Sequence, residues 1–317
     1  MTRLGITGAN GFVGSAIRVS AGAAGWDTIS VVRSGSSVRD TDDSFRLVDD
    51  PWSPEAWADI FQDVDCVVHL IGRAHHVGEG SEAYDEYYRD NVLVSEALTD
   101  GLARTAVQKV VYLSSIKAVG EQTDGRPIDG NTVPKPTTPY GQTKLEAEDR
   151  FARWADNASR HLVVLRPPLV YGPGVKGNFR SMLRIADSAI PLPIGSIENM
   201  RSMISLDNLC DVILASASEE IRGIHRLSVA DSEVLSTPDV VTILRAAMGR
   251  KADIFRFPEQ LLAVASRVAG VEGQFRRISE DLVIDGAAAE SVLGWIPRKT
   301  AIQGLVETAR WYTAGMK

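Results

Sequence analysis

Residues 6–14, ITGANGFVG, constrain the fold more than any other segment of this chain. Gly8, Gly11 and Gly14 stand three positions apart, directly after a run that is typical of a β-strand. Gly8 permits a tight turn, Gly11 lets the backbone approach a pyrophosphate, and Gly14 lets the following helix pack closely on the strand. The free N–H groups and the dipole at the start of that helix favour an anion. The segment therefore predicts a strand, a turn and a helix that bind the diphosphate of a dinucleotide.

Strand and helix patterns alternate over the first half of the chain. Strands are predicted at 3–7, 28–33, 45–48, 66–71, 110–114 and 162–166, and helices at 12–24, 54–61, 83–104 and 140–157. The run CVVHLI, at 66–71, is typical of a parallel strand that is covered on both faces. This alternation predicts an α/β fold with a doubly wound parallel sheet of the Rossmann type.

The pattern changes after position 166. The segment RPPLVYGPGVKGN is rich in proline and glycine and predicts a loop. Helices are predicted at 179–189, 206–218, 238–248, 259–268, 287–293 and 301–312, with short strands near 224–229 and 253–256. We expect 1–166 to form the dinucleotide-binding domain, with a return to it near 202–230. Segments 167–201 and 231–317 are expected to form a smaller α/β lobe that holds the substrate.

The end of the second predicted strand bears on the choice of cofactor. A carboxylate there would accept hydrogen bonds from the adenosine ribose and favour NAD. The residue is instead Arg33, followed by Ser34, Ser36 and Ser37. A guanidinium with hydroxyl groups suits a 2′-phosphate, whereas an arginine that lies over the adenine would tolerate either cofactor. The sequence favours NADP and leaves NAD open.

A tyrosine and a lysine four residues apart, Tyr140 and Lys144 in PYGQTK, share one face of a predicted helix. Upstream, the strand at 110–114 runs into SSIKAVG at the edge where open sheets bind ligands. A serine hydroxyl there can hold a substrate oxygen. A lysine ammonium together with a nicotinamide charge could lower the tyrosine pKa by ~3 units, which needs ~4 kcal/mol. The three side chains predict an acid–base site for a sugar or alcohol hydroxyl that loses or regains hydride.

Together these motifs resemble the extended short-chain dehydrogenase/reductase family, in its branch of nucleotide-sugar epimerases and dehydratases. The segments TGANGFVG, VVHLIG, YYRDNV, SSIK, PYGQTKLEAE, LRPPLVYGPG, RSMISLDNL and LGWIP stand in that family's order and spacing, over essentially the whole chain. The resemblance implies hydride transfer at the sugar C4. Tyr140 would be the acid and base, Lys144 would tune it, and Ser115 would hold the C4 oxygen, with Ser114 as the alternative serine.

The glycine turn and the resemblance together define the residues that we expect to contact the cofactor. These are Gly8, Asn10, Gly11, Phe12, Val13, Gly14, Arg33, Asp49, Leu70, Ile71, Gly72, Asn91, Tyr140, Lys144 and Pro167. The family uses an asparagine at the position of Asn91 to brace the backbone near the active site. The alternative is an amide on a solvated helix face.

The resemblance also implies where the substrate binds. Its diphosphate is expected at Asn178 and Arg201, an amide and a guanidinium that suit phosphate oxygens. Lys117 and Arg277 are further candidate substrate ligands. For Arg277 the alternative is a solvated charge pair with Arg276.

Two further features of the chain are not expected to take part in catalysis or metal binding. Asp207 is expected to cap the helix that follows it. The neighbouring His75 and His76 point apart and lack a set of carboxylates or thiols, so we expect no metal there. They are expected at the surface or in the substrate loop.

The bulk composition excludes several classes of function. The chain has 317 residues, 44% of them hydrophobic, which supports a substantial core. A net charge of -7 argues against nucleic acid as the main partner. Cys66 and Cys210 lie in apolar stretches and fit buried thiols in a reducing cytoplasm. No run approaches the ~18 apolar residues of a membrane span, so we expect no membrane insertion.

The resemblance implies a homodimer, in which the helices at 83–104 and 140–157 pair with their copies. The side chains expected to supply apolar contacts are Ala97, Leu98, Leu102, Leu145 and Phe151.

The resemblance does not fit a 4,6-dehydratase, because Ile116 and Lys117 occupy the positions of that class's Asp–Glu pair. It leaves two enzymes: a 4-reductase of a UDP-4-keto-6-deoxy-N-acetylhexosamine, for polysaccharide biosynthesis, and a 4-epimerase of a UDP-hexose such as UDP-glucose or UDP-GlcNAc. The sequence favours the reductase, because Arg33 suits an NADPH that exchanges in each cycle. A non-catalytic NADP-binding regulator is disfavoured, since such proteins commonly lose the tyrosine or the lysine.

Overall fold

The structure contains the β-strands of the predicted α/β fold. The structure is a computed structural model that describes residues 3–35, 45–74, 81–218 and 220–315. Its strands are β1 Arg3–Thr7, β2 Asp27–Arg33, β3 Phe45–Val48, β4 Cys66–His69, β5 Lys109–Leu113, β6 His161–Arg166, β7 Leu169–Tyr171, β8 Met203–Ser205 and β9 Ile224–Ser228.

Seven of these strands form one parallel sheet in the order β3-β2-β1-β4-β5-β6-β9. Thr7, at the end of β1, pairs with Val31 on one side and with His69 on the other. The strand order reverses between β1 and β4, so the ligand crevice of such a sheet lies at the carboxyl ends of these strands. The doubly wound fold is confirmed. β9 returns the chain to this sheet from the second half, while the domain boundaries stay a prediction.

Helices cover both faces of the sheet. They are α1 Phe12–Ala23, α2 Pro54–Ile60, α3 Ser81–Tyr87, α4 Val94–Leu102, α5 Pro139–Asp156, α6 Gly177–Asp187, α7 Leu206–Ala217, α8 Thr237–Ala247, α9 Glu259–Val268, α10 Glu272–Ser279, α11 Ala287–Leu293 and α12 Ala301–Ala314. Ile17 and Leu209 bring α1 and α7 against one face, and Trp57, Leu98 and Phe151 bring α2, α4 and α5 against the other. In the described ranges, no helix has both the length and the apolar character to span a membrane.

A separate core lies in the second half of the chain. Strands β7 and β8 pair with each other, and Tyr171, Phe179 and Leu305 belong to a cluster that joins this small sheet to α6, α8 and α12. Phe12 packs against both this cluster and the one beneath α1, where Val13 also packs. The first turn of α1 therefore lies where the two cores meet.

Several elements differ from their predictions. The helix predicted at 83–104 contains a π-helical turn, Tyr88–Leu93, between α3 and α4. The strand predicted at 253–256 is wrong, because Ile254 forms an isolated bridge with Leu192. The cap expected at Asp207 is wrong too, since the Ser205 hydroxyl caps α7. Helix α10 and strands β7 and β8 were not predicted, because such short elements carry little periodicity.

Four of the five residues expected at a dimer interface are buried inside the chain. Ala97, Leu98, Leu102 and Phe151 are at most 5% exposed, beneath α4 and α5, whereas Leu145 is half-buried. These four cannot contact a partner, so this part of the prediction is wrong. The apolar stripe of each helix faces the sheet, and sequence periodicity does not distinguish that face from an interface between subunits. The homodimer itself stays a prediction.

Candidate active site

The glycine turn has the backbone geometry that its sequence predicts. Gly8 adopts φ +66°, and a Cβ there would lie 3.2 Å from Ile71 N. A Cβ on Gly14 would lie 2.1 Å from Gly8 O, so glycine is needed for α1 to approach the turn this closely. Gly11 is the N-cap of α1, and Asn10 beside it is exposed. The accessible start of α1 therefore fits the diphosphate of a dinucleotide.

Asn91 braces the loop that follows β4. Its Oδ1 accepts the Arg73 N–H at 2.8 Å, and its Nδ2 donates to Thr143 Oγ1 on α5 at 3.1 Å. A Cβ on Gly72 would lie 3.2 Å from Asn91 Oδ1 and 3.5 Å from Lys144 Nζ, so the loop, the π-helical turn and α5 meet here. Asn91 is buried, and the alternative of a solvated amide is wrong. A π-helical turn often marks a functional site.

A buried histidine that the sequence reading missed lies beneath the same loop. His69 Nδ1 is 2.9 Å from Thr7 Oγ1, which also accepts the Leu70 N–H at 3.1 Å. Burial lowers the pKa of His69 to about 3, with a contribution from the Lys144 charge, so the ring is neutral. The contact ties the carboxyl end of β1 to that of β4. The sequence signal for His69 was a polar residue within the apolar run CVVHLI, at the edge of the sheet where ligands bind.

Ser115 and Tyr140 lie near each other at the carboxyl end of β5. Ser115 begins the 3₁₀ turn that follows β5, and its hydroxyl is close enough to that of Tyr140 to lower the pKa of the tyrosine. Tyr140 lies in the first turn of α5, whose start is capped by the Thr138 hydroxyl. Pro167, buried after β6, accepts the Ile116 N–H at 2.9 Å and holds the serine-bearing turn against β6. Two adjoining loops thus fix the pair.

Ser114 is engaged elsewhere. Its Oγ donates to Glu148 Oε1 at 2.5 Å, and Glu148 also accepts hydrogen bonds of 3.0 and 2.5 Å from Arg166. All three side chains are buried. This network lies in the core, which supports Ser115 as the serine that faces Tyr140. The sequence reading missed it, although Glu148 on a predicted helix and Arg166 in a predicted strand are charges in otherwise buried elements.

Lys144 is buried one helical turn from Tyr140. Its Nζ donates to Leu113 O at 2.7 Å and lies 4.3 Å from the centroid of the Tyr112 ring. Burial lowers the pKa of Lys144 to about 7, although the charge of Glu148 raises it. The lysine therefore changes its charge near neutral pH, and Glu148 favours the charged form.

The pKa of Tyr140 differs from the expectation. Burial raises the pKa of Tyr140 to about 12, although the Ser115 hydroxyl lowers it, and the neighbouring Tyr87 contributes a smaller increase to this value. The protein groups alone therefore do not produce the lowered tyrosine pKa that the sequence predicts. The contribution of a nicotinamide charge, which that expectation also included, stays a prediction.

The ends of β2 and β3 bring opposite charges close together. Arg33 ends β2 with an exposed side chain, and Ser34 Oγ donates to Asp49 Oδ1 just after β3. A guanidinium suits a 2′-phosphate, whereas a carboxylate suits ribose hydroxyls. This region therefore has groups that fit either cofactor. Ser36 and Ser37 lie outside the described residues.

Of the two residues expected at the substrate diphosphate, one is exposed and one is half-buried. Asn178 is exposed in the first turn of α6. Arg201 is half-buried, its Nη1 donates to Glu280 O at 2.8 Å, and burial lowers its pKa. Arg201 is therefore held by the segment that follows α10.

Lys117 and Arg277 both act on a carboxylate that the sequence reading missed. Lys117 Nζ lies 3.2 Å from Glu121 Oε1, to which Thr138 Oγ1 donates at 2.7 Å. Burial raises the pKa of Glu121, but these two hydrogen bonds and the charges of Lys117 and Arg277 outweigh it and lower the pKa. Arg277 and Arg276 are both exposed on α10. Nothing in GEQTDG distinguishes Glu121 from a surface acid in the sequence.

His75 and His76, the two histidines considered as metal ligands, fall outside the described residues. Among the residues that are described, no group of three or more His, Cys, Asp or Glu side chains is arranged to hold a metal ion.

Known proteins share both the sequence pattern and the fold. Residues 4–230 match the model of the NAD dependent epimerase/dehydratase family. UDP-glucose 4-epimerase of Vibrio cholerae is 33% identical over 250 residues, covering 77% of this chain and 75% of that protein. GDP-6-deoxy-D-mannose reductase of Pseudomonas aeruginosa is 24% identical over 316 residues, covering 96% and 94%. The structure of UDP-glucuronic acid 4-epimerase from Bacillus cereus in complex with NAD matches with a TM-score of 0.79 at 19% identity, over 100% of both chains.

Proposed function

Because this chain belongs to the NAD-dependent epimerase/dehydratase family, we propose that it reduces the C4 ketone of a UDP-4-keto-6-deoxy-N-acetylhexosamine. The chain is an enzyme of the class that acts on nucleotide sugars with a nicotinamide cofactor. The acid–base chemistry rests on Ser115 and Tyr140, which lie near each other at the carboxyl end of β5, one helical turn from the buried Lys144. The choice of reduction rests on the exposed Arg33 at the end of β2. The product would serve polysaccharide biosynthesis.

Each side chain has a defined part in this reaction. NADPH, when bound, supplies the hydride to C4. Ser115 donates a hydrogen bond to the C4 oxygen, and Tyr140 delivers the proton that turns this oxygen into a hydroxyl. Lys144 in its charged form favours the tyrosinate that remains. Glu148 favours the charged form of Lys144. The diphosphate of the substrate would bind at Asn178 and Arg201.

Arg33 favours reduction over epimerisation. A reductase consumes one NADPH in each turnover, so its cofactor must exchange, whereas an epimerase keeps its cofactor and returns the hydride to the sugar. The exposed guanidinium at the end of β2 suits the 2′-phosphate of NADPH. We therefore assign NADP as the preferred cofactor, with NAD as the alternative. We also propose that the functional unit is a homodimer, as the resemblance to the family implies.

A 4-epimerase of UDP-glucose or UDP-GlcNAc is the second candidate. The relative from Vibrio cholerae, at 33% identity, is a UDP-glucose 4-epimerase, and Ser115, Tyr140 and Lys144 would serve both reactions. A 4,6-dehydratase is not proposed, because Ile116 and Lys117 follow the serine where that class needs an acid and a base.

One pair of assays separates the two candidates. The reductase consumes NADPH, followed by its absorbance, in a one-to-one ratio with a UDP-4-keto-6-deoxy-N-acetylhexosamine. The epimerase interconverts UDP-glucose with UDP-galactose, or UDP-GlcNAc with UDP-GalNAc, without net loss of cofactor. If the second reaction proceeds at ordinary enzymatic rates and the first does not, the proposed reductase is wrong. Tyr140→Phe serves as the inactive control in both assays.

A further inference from the structure

Helix α9 has its apolar residues on the outside. Leu261, Val264 and Val268 recur at a spacing of three and four, so they lie on one face of the helix. Their exposures are 55%, 57% and 85%. All ten residues of α9 are described, and Ser266 is the one that is buried. A surface helix normally buries its apolar face, so the orientation of α9 is inverted.

The neighbouring segments extend this apolar surface. Helix α9 packs mainly against α10, and none of the eight residues of α10, all described, is buried. Phe255 and Val271, just outside the two ends of α9, are also exposed. Several exposed apolar side chains in one part of a chain are typical of a contact with a partner or a membrane.

The charge of this part of the chain is opposite to that of the rest. Residues 250–279 contain six basic and three acidic side chains, a net charge of +3 that Glu280 and Asp281 directly after them reduce to +1, within a chain of -7. Arg267 and Arg276 are 71% and 58% exposed, and each is paired with a glutamate at the surface. Surface ion pairs of this kind contribute little to stability, so replacing the glutamate by another anion would cost little. The apolar face of α9 is therefore accompanied by cationic groups.

We propose that α9 and α10 dock the enzyme on the surface of an anionic lipid bilayer. Leu261, Val264 and Val268 would enter the boundary between headgroups and acyl chains, as in other amphipathic helices that lie in the membrane plane. Arg267 and Arg276 would contact lipid phosphates, since basic side chains near an anionic surface are attracted to it. The enzyme would lie on the membrane without spanning it.

The charge argues against a second copy of this chain as the occupant. Two copies that met through α9 and α10 would bring Arg267, Arg276 and Arg277 of each copy near those of the other, and like charges across an interface oppose association. An anionic bilayer complements both the apolar face and the charge. The docking itself does not depend on which reaction the enzyme catalyses.

The docked face adjoins the candidate substrate site. Glu280, the residue after α10, accepts hydrogen bonds through its carbonyl from Arg201 Nη1 at 2.8 Å and from Asn199 Nδ2 at 3.4 Å. Thr237 Oγ1 donates to Ile278 O within α10 at 2.8 Å. Docking would therefore hold the Arg201 edge of the site near the bilayer. This consequence rests on the proposed function.

Vesicle binding tests the docking with the purified full chain. Wild type is sedimented with large vesicles of phosphatidylcholine alone and of phosphatidylcholine with phosphatidylglycerol. We expect binding to the vesicles that contain phosphatidylglycerol, weakened by high salt because the lipid charge is screened. The variant Leu261→Gln/Val268→Gln should lower the partition coefficient at least ~10-fold, because it removes two apolar side chains from the face. Arg267→Gln/Arg276→Gln should lower it several-fold.

A matched control distinguishes the apolar face of α9 from exposed apolar side chains elsewhere on the surface. Val19→Gln/Ile302→Gln removes two exposed aliphatic side chains from α1 and α12 and should bind vesicles as wild type does. All variants should keep the thermal unfolding midpoint and the turnover of a water-soluble nucleotide sugar, so loss of binding is distinguished from loss of folding or of function. Val264→Gln repeats the test at a second position.

Three results would overturn the proposal. The first is a wild type that binds neither vesicle, and the second is Leu261→Gln/Val268→Gln binding as wild type does. The third is a loss of subunit association by this variant in light scattering, without vesicle binding by wild type, which would assign the face to a second copy. Failure of the reductase assay leaves the vesicle result unchanged, so the two proposals fail separately.

Discussion

The two ends of the candidate cofactor site differ in how firmly the protein holds them. At the end of β5, Ser115 is 9% exposed and Lys144 is buried, with its Nζ hydrogen-bonded to Leu113 O. At the end of β2, by contrast, the Arg33 side chain is exposed.

The buried end of the site suits the chemical step, and the exposed end suits the choice between cofactors. A side chain that moves a proton must be placed to within a fraction of an ångström, which packed neighbours and buried hydrogen bonds provide. A side chain that selects between two cofactors needs the right charge at an accessible position. Changes at the β5 end should therefore alter turnover or stability strongly, and changes at the β2 end should alter cofactor preference while the fold is kept.

The largest effect is expected for Tyr140→Phe. The substitution removes the hydroxyl that is proposed to move the proton and leaves the glycine turn intact. We expect kcat to fall about 10³- to 10⁴-fold, or about 4 to 5 kcal/mol in activation free energy, with cofactor affinity nearly unchanged. Steady-state kinetics and a cofactor titration measure the two quantities.

Tyr84→Phe is the matched control for this prediction. Its hydroxyl donates to Glu146 of α5 at 2.7 Å, outside the candidate site. The control should keep kcat within a few-fold of wild type. Full activity of Tyr140→Phe would contradict the proposed mechanism, and an equal loss in both variants would assign the effect to packing.

Glu148→Gln tests whether the core network holds the β5 end in place. The carboxylate is buried and accepts hydrogen bonds from Ser114 and twice from Arg166. Loss of its charge leaves the buried guanidinium without a counterion, which destabilises a protein by about 3 kcal/mol or more. The free energy of unfolding in urea should fall by that amount. Glu146→Gln, on the same helix, should change it by less than ~1 kcal/mol, and equal effects would contradict the network.

The comparison also shows what a sequence can predict about such a protein. Gly8, Gly14, Tyr140 and the alternation of strands were predictable because local rules govern them: positive φ, close approach, helix spacing and strand burial. The network around Glu148 was not predictable, since its partners are far apart in sequence and meet through the sheet.

Two further discrepancies have related causes. The pKa of Tyr140 depends on burial, which a motif does not report, so the protein groups alone raise this pKa, whereas the predicted decrease also included a nicotinamide charge. The interface residues Leu98 and Phe151 were misassigned because an apolar helix face has the same periodicity whether it meets the sheet or a partner.

Lys144→Met tests whether burial lowers the pKa of the lysine. The test uses the pH dependence of the free energy of unfolding. An ordinary lysine has a pKa of 10.5, and burial lowers that of Lys144 to about 7. Between pH 7 and 8.5 the unfolded chain therefore binds a proton that the folded chain has released, so stability rises with pH, by at most ~1.4 kcal/mol per pH unit. Cys66 and Cys210, whose pKa values burial raises from 9.0 to about 12, act with the opposite sign, mainly above this window.

The measurement for this prediction is the free energy of unfolding in urea across that window. Wild type should become more stable with rising pH, and Lys144→Met should show a flatter dependence because it has no proton to release. Parallel curves for the two proteins would mean that the lysine keeps its proton when folded, as a solvated ammonium would.

Arg33→Asp is expected to have the smallest effect and tests the exposed end of the candidate cofactor site, at β2. The substitution replaces a group that suits a 2′-phosphate by one that accepts hydrogen bonds from ribose hydroxyls. The ratio of kcat/KM for NADPH to that for NADH should shift toward NADH by about tenfold or more, which corresponds to about 1.4 kcal/mol. The unfolding midpoint should stay near that of wild type, because the side chain is exposed. Arg153→Asp, the same charge change at an exposed position of α5, should leave the ratio unaltered. If Arg33→Asp also leaves it unaltered, the guanidinium does not contact the cofactor, and the main support for an exchanging NADPH, and with it for the reductase over the epimerase, is lost.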